Sequence, residues 1–190
     1  MMPPPPPYIL EDRTGSLTRT DFDDLYDRIF FHIARVPDRT TTMIYSMNIR
    51  GSRHRDSLPF NREPIVILDF GSDERLGTIS YVQKPHNVSL PMHRYLRKTT
   101  LFGSSLFRKF TASDGREYRW GHRVFEGQEW SCTTMDNYLV AHFDLKPPDT
   151  RPYDPHVSGN YLTIYEHFFP LTLELLASLT IMRHIAQHNL

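Results

Sequence analysis

Hydrophobic positions change their spacing along this chain, and the changes divide it. From Thr40 to Met47 the chain is rich in β-branched and aromatic residues, the composition of a strand. Ile65-Val66-Ile67-Leu68 and Leu76 to Val82 repeat that character on either side of Asp73-Glu74-Arg75, which predicts a hairpin. Met92 to Lys98 is a further candidate strand. Leu106 to Thr111 and Arg116 to Trp120 flank Asp114-Gly115, and Glu129 to Thr134 and Tyr138 to Leu145 flank Asp136-Asn137; both junctions carry turn chemistry. Tyr161 to His167 follows Gly159-Asn160. The count comes to about ten to twelve short strands, the spacing of an all-β sandwich or barrel.

Asp21 to Arg35 reads two ways. Phe22, Leu25, Tyr26, Ile29, Phe30 and Ile33 have helical spacing, with Asp21 as an N-cap, yet Ile29 to Ile33 is also a good strand. After Pro170 the pattern is different. Leu171, Leu173, Leu175, Leu176, Ala177, Leu179, Ile181 and Met182 cover most of a helix circumference, which predicts a helix over about 170–187. Its apolar part is short and carries Thr172, Glu174, Ser178 and Thr180, so the segment is expected to be buried in protein rather than in lipid. A closed antiparallel β-barrel with this helix through its centre supplies apolar contact on every side. The expected organisation is a flexible proline-rich tail at 1–7, then one mainly β domain at 8–190.

Composition narrows the partners. The 190 residues carry 22 basic and 22 acidic side chains, so no bulk field draws the chain to nucleic acid, and nucleic acid is not expected as a partner. Arginine supplies 18 of the 22 cations, the residue suited to planar contacts with carboxylate or phosphate; ordinary surface pairing is the plainer expectation. Cys132 is alone, which excludes an internal disulfide and points to a reducing compartment. No signal peptide is visible, so Asn87-Val88-Ser89 reads as a chance sequon.

Phe110-Thr111-Ala112-Ser113-Asp114-Gly115-Arg116-Glu117-Tyr118-Arg119-Trp120 resembles the signature of a fungal domain of unknown function, numbered 6593. Arg39 to Ile44, Leu76 to Tyr81 and Leu139 to Phe143 agree with it, and the resemblance runs over Thr20 to His188. That family is similar in turn to the tubby C-terminal superfamily, with the plant LURP-one-related proteins and phospholipid scramblases. The resemblance implies a twelve-stranded barrel around a central hydrophobic helix, with Ile29 to Arg35 as a strand. It brings no activity, and the phosphoinositide-binding residues of tubby have no matching motif here.

Candidate chemistry is sparse. Arg94, Arg97, Lys98, Arg108 and Lys109 form the densest basic group and, if their segments adjoin, a patch for phosphate headgroups. Arg50, Arg53, His54 and Arg55 form a looser one in a polar loop. Tyr118, Trp120 and His142 are pocket candidates, with core packing the plainer role for the first two. Asp23, Asp24 and Asp27 match D-D-x-x-D, which on a helix would hold magnesium against a diphosphate. His184 and His188 stand one helical turn apart and permit a shared metal, but no third ligand can be named; a solvated pair, or one favoured by the dipole at the helix C-terminus, is expected, with neither metal nor cofactor. Cys132 reads as a packing residue. No nucleophile elbow, P-loop or dinucleotide fingerprint occurs. The expectation is a non-catalytic domain that binds an anionic lipid headgroup or another protein, located in the cytoplasm or peripherally on a membrane, with no transmembrane segment. The alternative is a small enzyme with a pocket at a barrel end, and a weaker possibility is recruitment of partners through Pro3 to Pro7.

Overall fold

The structure, a computed structural model, describes residues 5–51, 62–82, 87–144 and 158–190. Its strands are β1 (Tyr8–Asp12), β2 (Arg19–Asp24), β3 (Phe30–Arg35), β4 (Thr41–Met47), β5 (Val66–Asp69), β6 (Thr78–Tyr81), β7 (Val88–Pro91), β8 (Arg97–Lys98), β9 (Phe107–Thr111), β10 (Glu117–His122), β11 (Gln128–Thr134), β12 (Leu139–Asp144) and β13 (Asn160–Ile164). They form one antiparallel sheet in the order β7-β6-β5-β4-β3-β2-β1-β13-β12-β11-β10-β9-β8. Chain neighbours are therefore sheet neighbours almost throughout, and β1 against β13 joins the two ends of the chain.

The edge strands β7 and β8 are consecutive in the chain. Only α1 (Met92–Tyr95) and Leu96 separate them, and no ladder joins them among the described residues. A single helical turn thus leads the chain from one edge strand of the sheet to the other. The strand expected over Met92 to Lys98 is thus replaced by α1 and the two-residue β8. Met92, Tyr95 and Leu96 stand at i, i+3 and i+4, so a single helical turn buries all three at the corner. The Met92 amide donates to the Gly77 carbonyl at 2.8 Å and the Leu96 amide to the Met92 carbonyl at 2.7 Å.

The ambiguous segment is the β2–β3 hairpin. Helical spacing loses there because the Asp24 carboxylate accepts from the Tyr26 and Arg28 amides, a local turn that competes with helix, and Asp27 adopts a left-handed φ of 56°. The Asp-Gly turn between β9 and β10 forms as expected, with Gly115 at φ 80°. Pro6 and Pro7 of the proline run are held by their carbonyls, which accept from Arg28 at 2.8 and 2.7 Å; residues 1–4 lie outside the described residues.

A 3-10 turn, Glu166–Leu171, leads into α2 (Thr172–His188). Every residue from Leu175 to Met182 is buried, which at 3.6 residues per turn leaves no face of the helix in solvent. With the preceding turn, the helical stretch Glu166–His188 is long and apolar enough to cross a membrane, a longer run than the sequence pattern suggested, yet most of it is covered by protein. Its contacts come from separated parts of the sheet. The Trp120 indole donates to Ser178 Oγ at 2.8 Å, and Arg183 bonds Asp12 at 3.0 Å while lying over the Phe143 ring. His184 stacks on Phe70 with ring centroids 3.7 Å apart. Leu175, Leu176, Leu179, Ile181 and Met182 are fully enclosed, each worth about 1.5–3 kcal/mol of burial.

Ser178→Ala leaves the Trp120 N–H buried without its acceptor, and is expected to cost about 1–3 kcal/mol. Leu179→Ala opens a cavity and is expected to cost about 2–5 kcal/mol. Urea unfolding followed by tryptophan fluorescence measures both. A cost below 0.5 kcal/mol for Leu179→Ala, to the nearest ~0.5, is the outcome incompatible with an enclosed helix.

Candidate functional site

Four of the five clustered cations meet on the adjacent strands β8 and β9, with Arg94 on α1, and the structure sorts the four by face. Arg97 pairs with Lys109 and Lys98 with Arg108 across β8 and β9. Alternation turns Arg97 and Lys109 toward Glu117 on β10, whose carboxylate accepts from Arg97 at 2.5 Å and from Lys109 at 3.1 Å. Lys109 and then Arg97 hold this carboxyl below its usual range. Arg108 faces the other way and is 4% exposed. Its Nε donates to the Ser105 carbonyl at 3.0 Å and its Nη1 to the Leu96 carbonyl at 3.1 Å, so it braces the loop between β8 and β9. Burial pushes its pKa down. Arg94 on α1 and Lys98 are exposed and make no side-chain bond among the described residues. Arg97 and Lys109 thus share Glu117, while Arg94 and Lys98 stand exposed without an acid partner among the described residues.

The braced loop, residues 99–106, ends in Leu101 and Phe102, which are 91% and fully exposed. At its base a groove of about 210 Å³ runs between Phe107, Arg119, Val124 and Phe125. A Cβ on Gly121 in the groove wall would lie 2.5 Å from Val124 Cγ2 and 3.0 Å from Phe107 Cε1, so only glycine lets these two side chains close over β10. The Arg119 guanidinium is held in place by Thr133 Oγ1 and Asn137 Oδ1. Thr99 and Phe107, at the two ends of the loop, also line this groove.

The three pocket candidates do not converge. Tyr118 is buried and donates to Asp114 at 2.5 Å; it lines a second groove of about 440 Å³ beside Phe168 and Pro170, where the chain enters α2. Trp120 lines the first groove, with its N–H turned inward onto Ser178. His142 lies on β12 with Nε2 3.3 Å from Asp144, and its Nδ1 is buried without a hydrogen-bond partner. It meets a carboxylate, but lines neither groove.

The D-D-x-x-D segment is strand and turn, and its carboxylates are already engaged. Asp23 accepts the Gly51 amide on both oxygens, at 3.0 and 2.9 Å, and burial raises its pKa. Asp24 accepts from Arg28 Nε at 2.7 Å and Nη2 at 2.9 Å and from the Ile9 amide. Asp27 bonds Arg50 at 2.8 Å, which takes Arg50 out of the looser basic cluster; Arg53, His54 and Arg55 lie outside the described residues. The three carboxylates share no common face for a magnesium ion. Cys132 is fully buried, and burial raises its thiol well above the ordinary value. His184 is buried rather than solvated, and Glu74, 110 residues away along the chain, approaches the pair. The loop tip Leu101-Phe102 was likewise missed; its signal was an apolar pair inside a run otherwise read as a connection.

A family model described as "Family of unknown function (DUF6593)" matches residues 15–187. Searches of the curated proteins and of the solved structures returned no match.

Burial alone would raise the Asp24 pKa, but the bonds from Arg28 and the Ile9 amide outweigh it and hold the carboxyl below its ordinary 3.8. Above that value the contribution to stability is complete. As the pH falls below it the unfolded chain takes up the proton first, and the contribution is gone under the folded value. Asp24→Asn is expected to cost about 2 kcal/mol near neutral pH and to flatten the loss of stability below about pH 4. Urea titrations across that range measure it; an unchanged acid limb contradicts the assignment.

Proposed function

The chain belongs to the DUF6593 family, whose description assigns no role, and we propose from its own surface that it is a non-catalytic domain that docks on an anionic membrane through the rim of α1, β8 and the β8–β9 loop. One observation carries this reading: Leu101 and Phe102 stand in solvent at the tip of a braced loop that begins beside Lys98, which no acid neutralises among the described residues, with Arg94 likewise unpaired on α1. Exposed apolar side chains of this size mark an interaction surface. Inserting them between headgroups is worth about 1.5–3 kcal/mol each. Each cation near an anionic surface adds about 1 kcal/mol. The sum describes reversible attachment, and the matching surface is the cytoplasmic leaflet. The enclosed helix, and edge strands joined by a single helical turn, support placing the fold with the closed tubby-like barrels. The scattering of Tyr118, Trp120 and His142 favours binding over the alternative of a barrel-end enzyme.

Co-sedimentation with vesicles of phosphatidylcholine alone, and of phosphatidylcholine with phosphatidylserine, tests the proposal. Binding is expected only to the second, with about tenfold weaker affinity for Leu101→Ser/Phe102→Ser and a similar loss for Arg94→Ala/Lys98→Ala. Arg97→Ala changes less, because Glu117 already offsets that charge. Rising salt should weaken the wild type and leave the Arg94→Ala/Lys98→Ala variant less affected. No binding to anionic vesicles, or binding indifferent to both double variants while circular dichroism shows them folded, refutes it; a protein partner captured through the same tip would then be the reading to pursue.

A further inference from the structure

The opposite part of α2 carries a second, independent cluster. His184 and His188 are separated by one turn, with ring centroids 4.3 Å apart. Glu74, in the turn between β5 and β6, reaches them from the sheet. Its backbone has a left-handed φ of 57°, a conformation uncommon for a glutamate, and this turns the residue toward the helix end. One carboxylate oxygen of Glu74 is taken by Arg35. The other, Oε2, is buried, has no hydrogen-bond partner, and lies 3.9 Å from His184 Nε2.

The imidazole of His184 is held on both sides. It stacks on Phe70, and its Nε2 lies 2.8 Å from the Glu74 carbonyl oxygen. A proton donated there leaves Nδ1 as the lone-pair nitrogen, the outer-shell arrangement that orients metal-bound imidazoles. Arg35 plays the matching part for the carboxylate, and is itself anchored by Nε on the Arg39 carbonyl at 2.8 Å. A cavity of about 20 Å³ lies against His184, His188, Arg35 and Thr42, next to the Arg35 that Glu74 bonds rather than against Glu74 itself. A water-sized sphere needs about 10–15 Å³, so there is room for one small occupant.

We propose that Glu74, His184 and His188 form a binding site for a divalent zinc-type cation that clasps the end of α2 to the β5–β6 turn. The three ligating atoms lie within 4.8 Å of one another. Four-coordinate zinc with bonds near 2.1 Å needs separations of about 3.4 Å, so closure by up to about 1.4 Å completes the set. His188, half-exposed near the chain end, is the ligand free to make that move. Two imidazoles and one carboxylate select zinc, cobalt, nickel or copper over magnesium or calcium, which prefer all-oxygen shells. The glutamate and Arg35 cancel in charge, so the cation enters a site without net repulsion. Three protein ligands leave a fourth position for water.

The full chain, stripped with chelator, is titrated with Zn²⁺ by calorimetry and with Co²⁺ by visible absorption. The expected result is saturable one-to-one binding, intense four-coordinate cobalt bands and a rise in Tm with zinc. His188→Ala and Glu74→Gln each should weaken binding by about 10–100-fold and remove the cobalt bands, with Mg²⁺ giving no response. Both variants alter half-exposed side chains, so folding is checked separately by circular dichroism. Absence of saturable binding overturns the site. So does binding of equal strength in both folded variants, which would place the metal on other histidines.

Discussion

Everything in this molecule follows from the need to enclose α2. A helix with no solvent face has to satisfy each polar group it carries from within, and it does. Thr180 donates to the Leu176 carbonyl at 2.8 Å, and Ser178 donates to the Leu175 carbonyl while accepting from Trp120. Near the first turn, Glu174 accepts from the Ser113 amide and hydroxyl, where a carboxylate also suits the positive end of the helix dipole. Arg183 leaves the helix between Asp12 and the Gly15 carbonyl. These polar links fix the rotation of the helix in its sheath, which apolar contact alone would leave loosely specified.

Enclosure also decides where recognition can sit. Side chains pack around the helix, and the larger grooves among the described residues lie beside β10 and where the chain enters α2. The seam between β7 and β8 is the place where backbone pairing stops. Edge strands invite unwanted pairing, and β8 limits this by being two residues long and carrying Arg97 and Lys98. The charges that protect the edge are the ones presented beside Leu101 and Phe102, so one set of residues serves both the fold and the proposed contact with lipid.

The sequence made the enclosed helix legible because eight apolar side chains around one helix admit few burial schemes, and the hairpins legible because Asp-Gly and Asp-Asn turns announce themselves locally. It was least informative where tertiary contacts set the answer. Met92 to Lys98 looked like a strand, yet the chain there had to turn a corner. The β1 and β7 strands went unread because Tyr8–Asp12 and Val88–Pro91 owe their conformation to pairing with distant or neighbouring ladders rather than to their own composition. Glu74 was invisible as a partner of His184 because 110 residues separate them and a left-handed turn residue delivers the contact. The basic cluster was found, but that Arg108 points inward is a matter of strand register, which a single slip would have reversed.

A net charge of zero conceals this division of labour. Many acids are spent on holding the sheet together: Asp12 on Arg183, Asp23 on the Gly51 amide, Asp24 on Arg28 and two backbone turns, Glu74 on Arg35. The Arg28–Asp24 pair is bidentate and the Arg183–Asp12 pair deeply set, so arginine here is less a surface decoration than a set of planar clasps, a task lysine performs poorly. Acids consumed in the β1–β3 region cannot screen the cations around β8, which lie on the far side of the sheet order. Local imbalance therefore arises from where the carboxylates are needed for folding, and a whole-chain sum, taken as an argument against electrostatic binding, measures the wrong quantity.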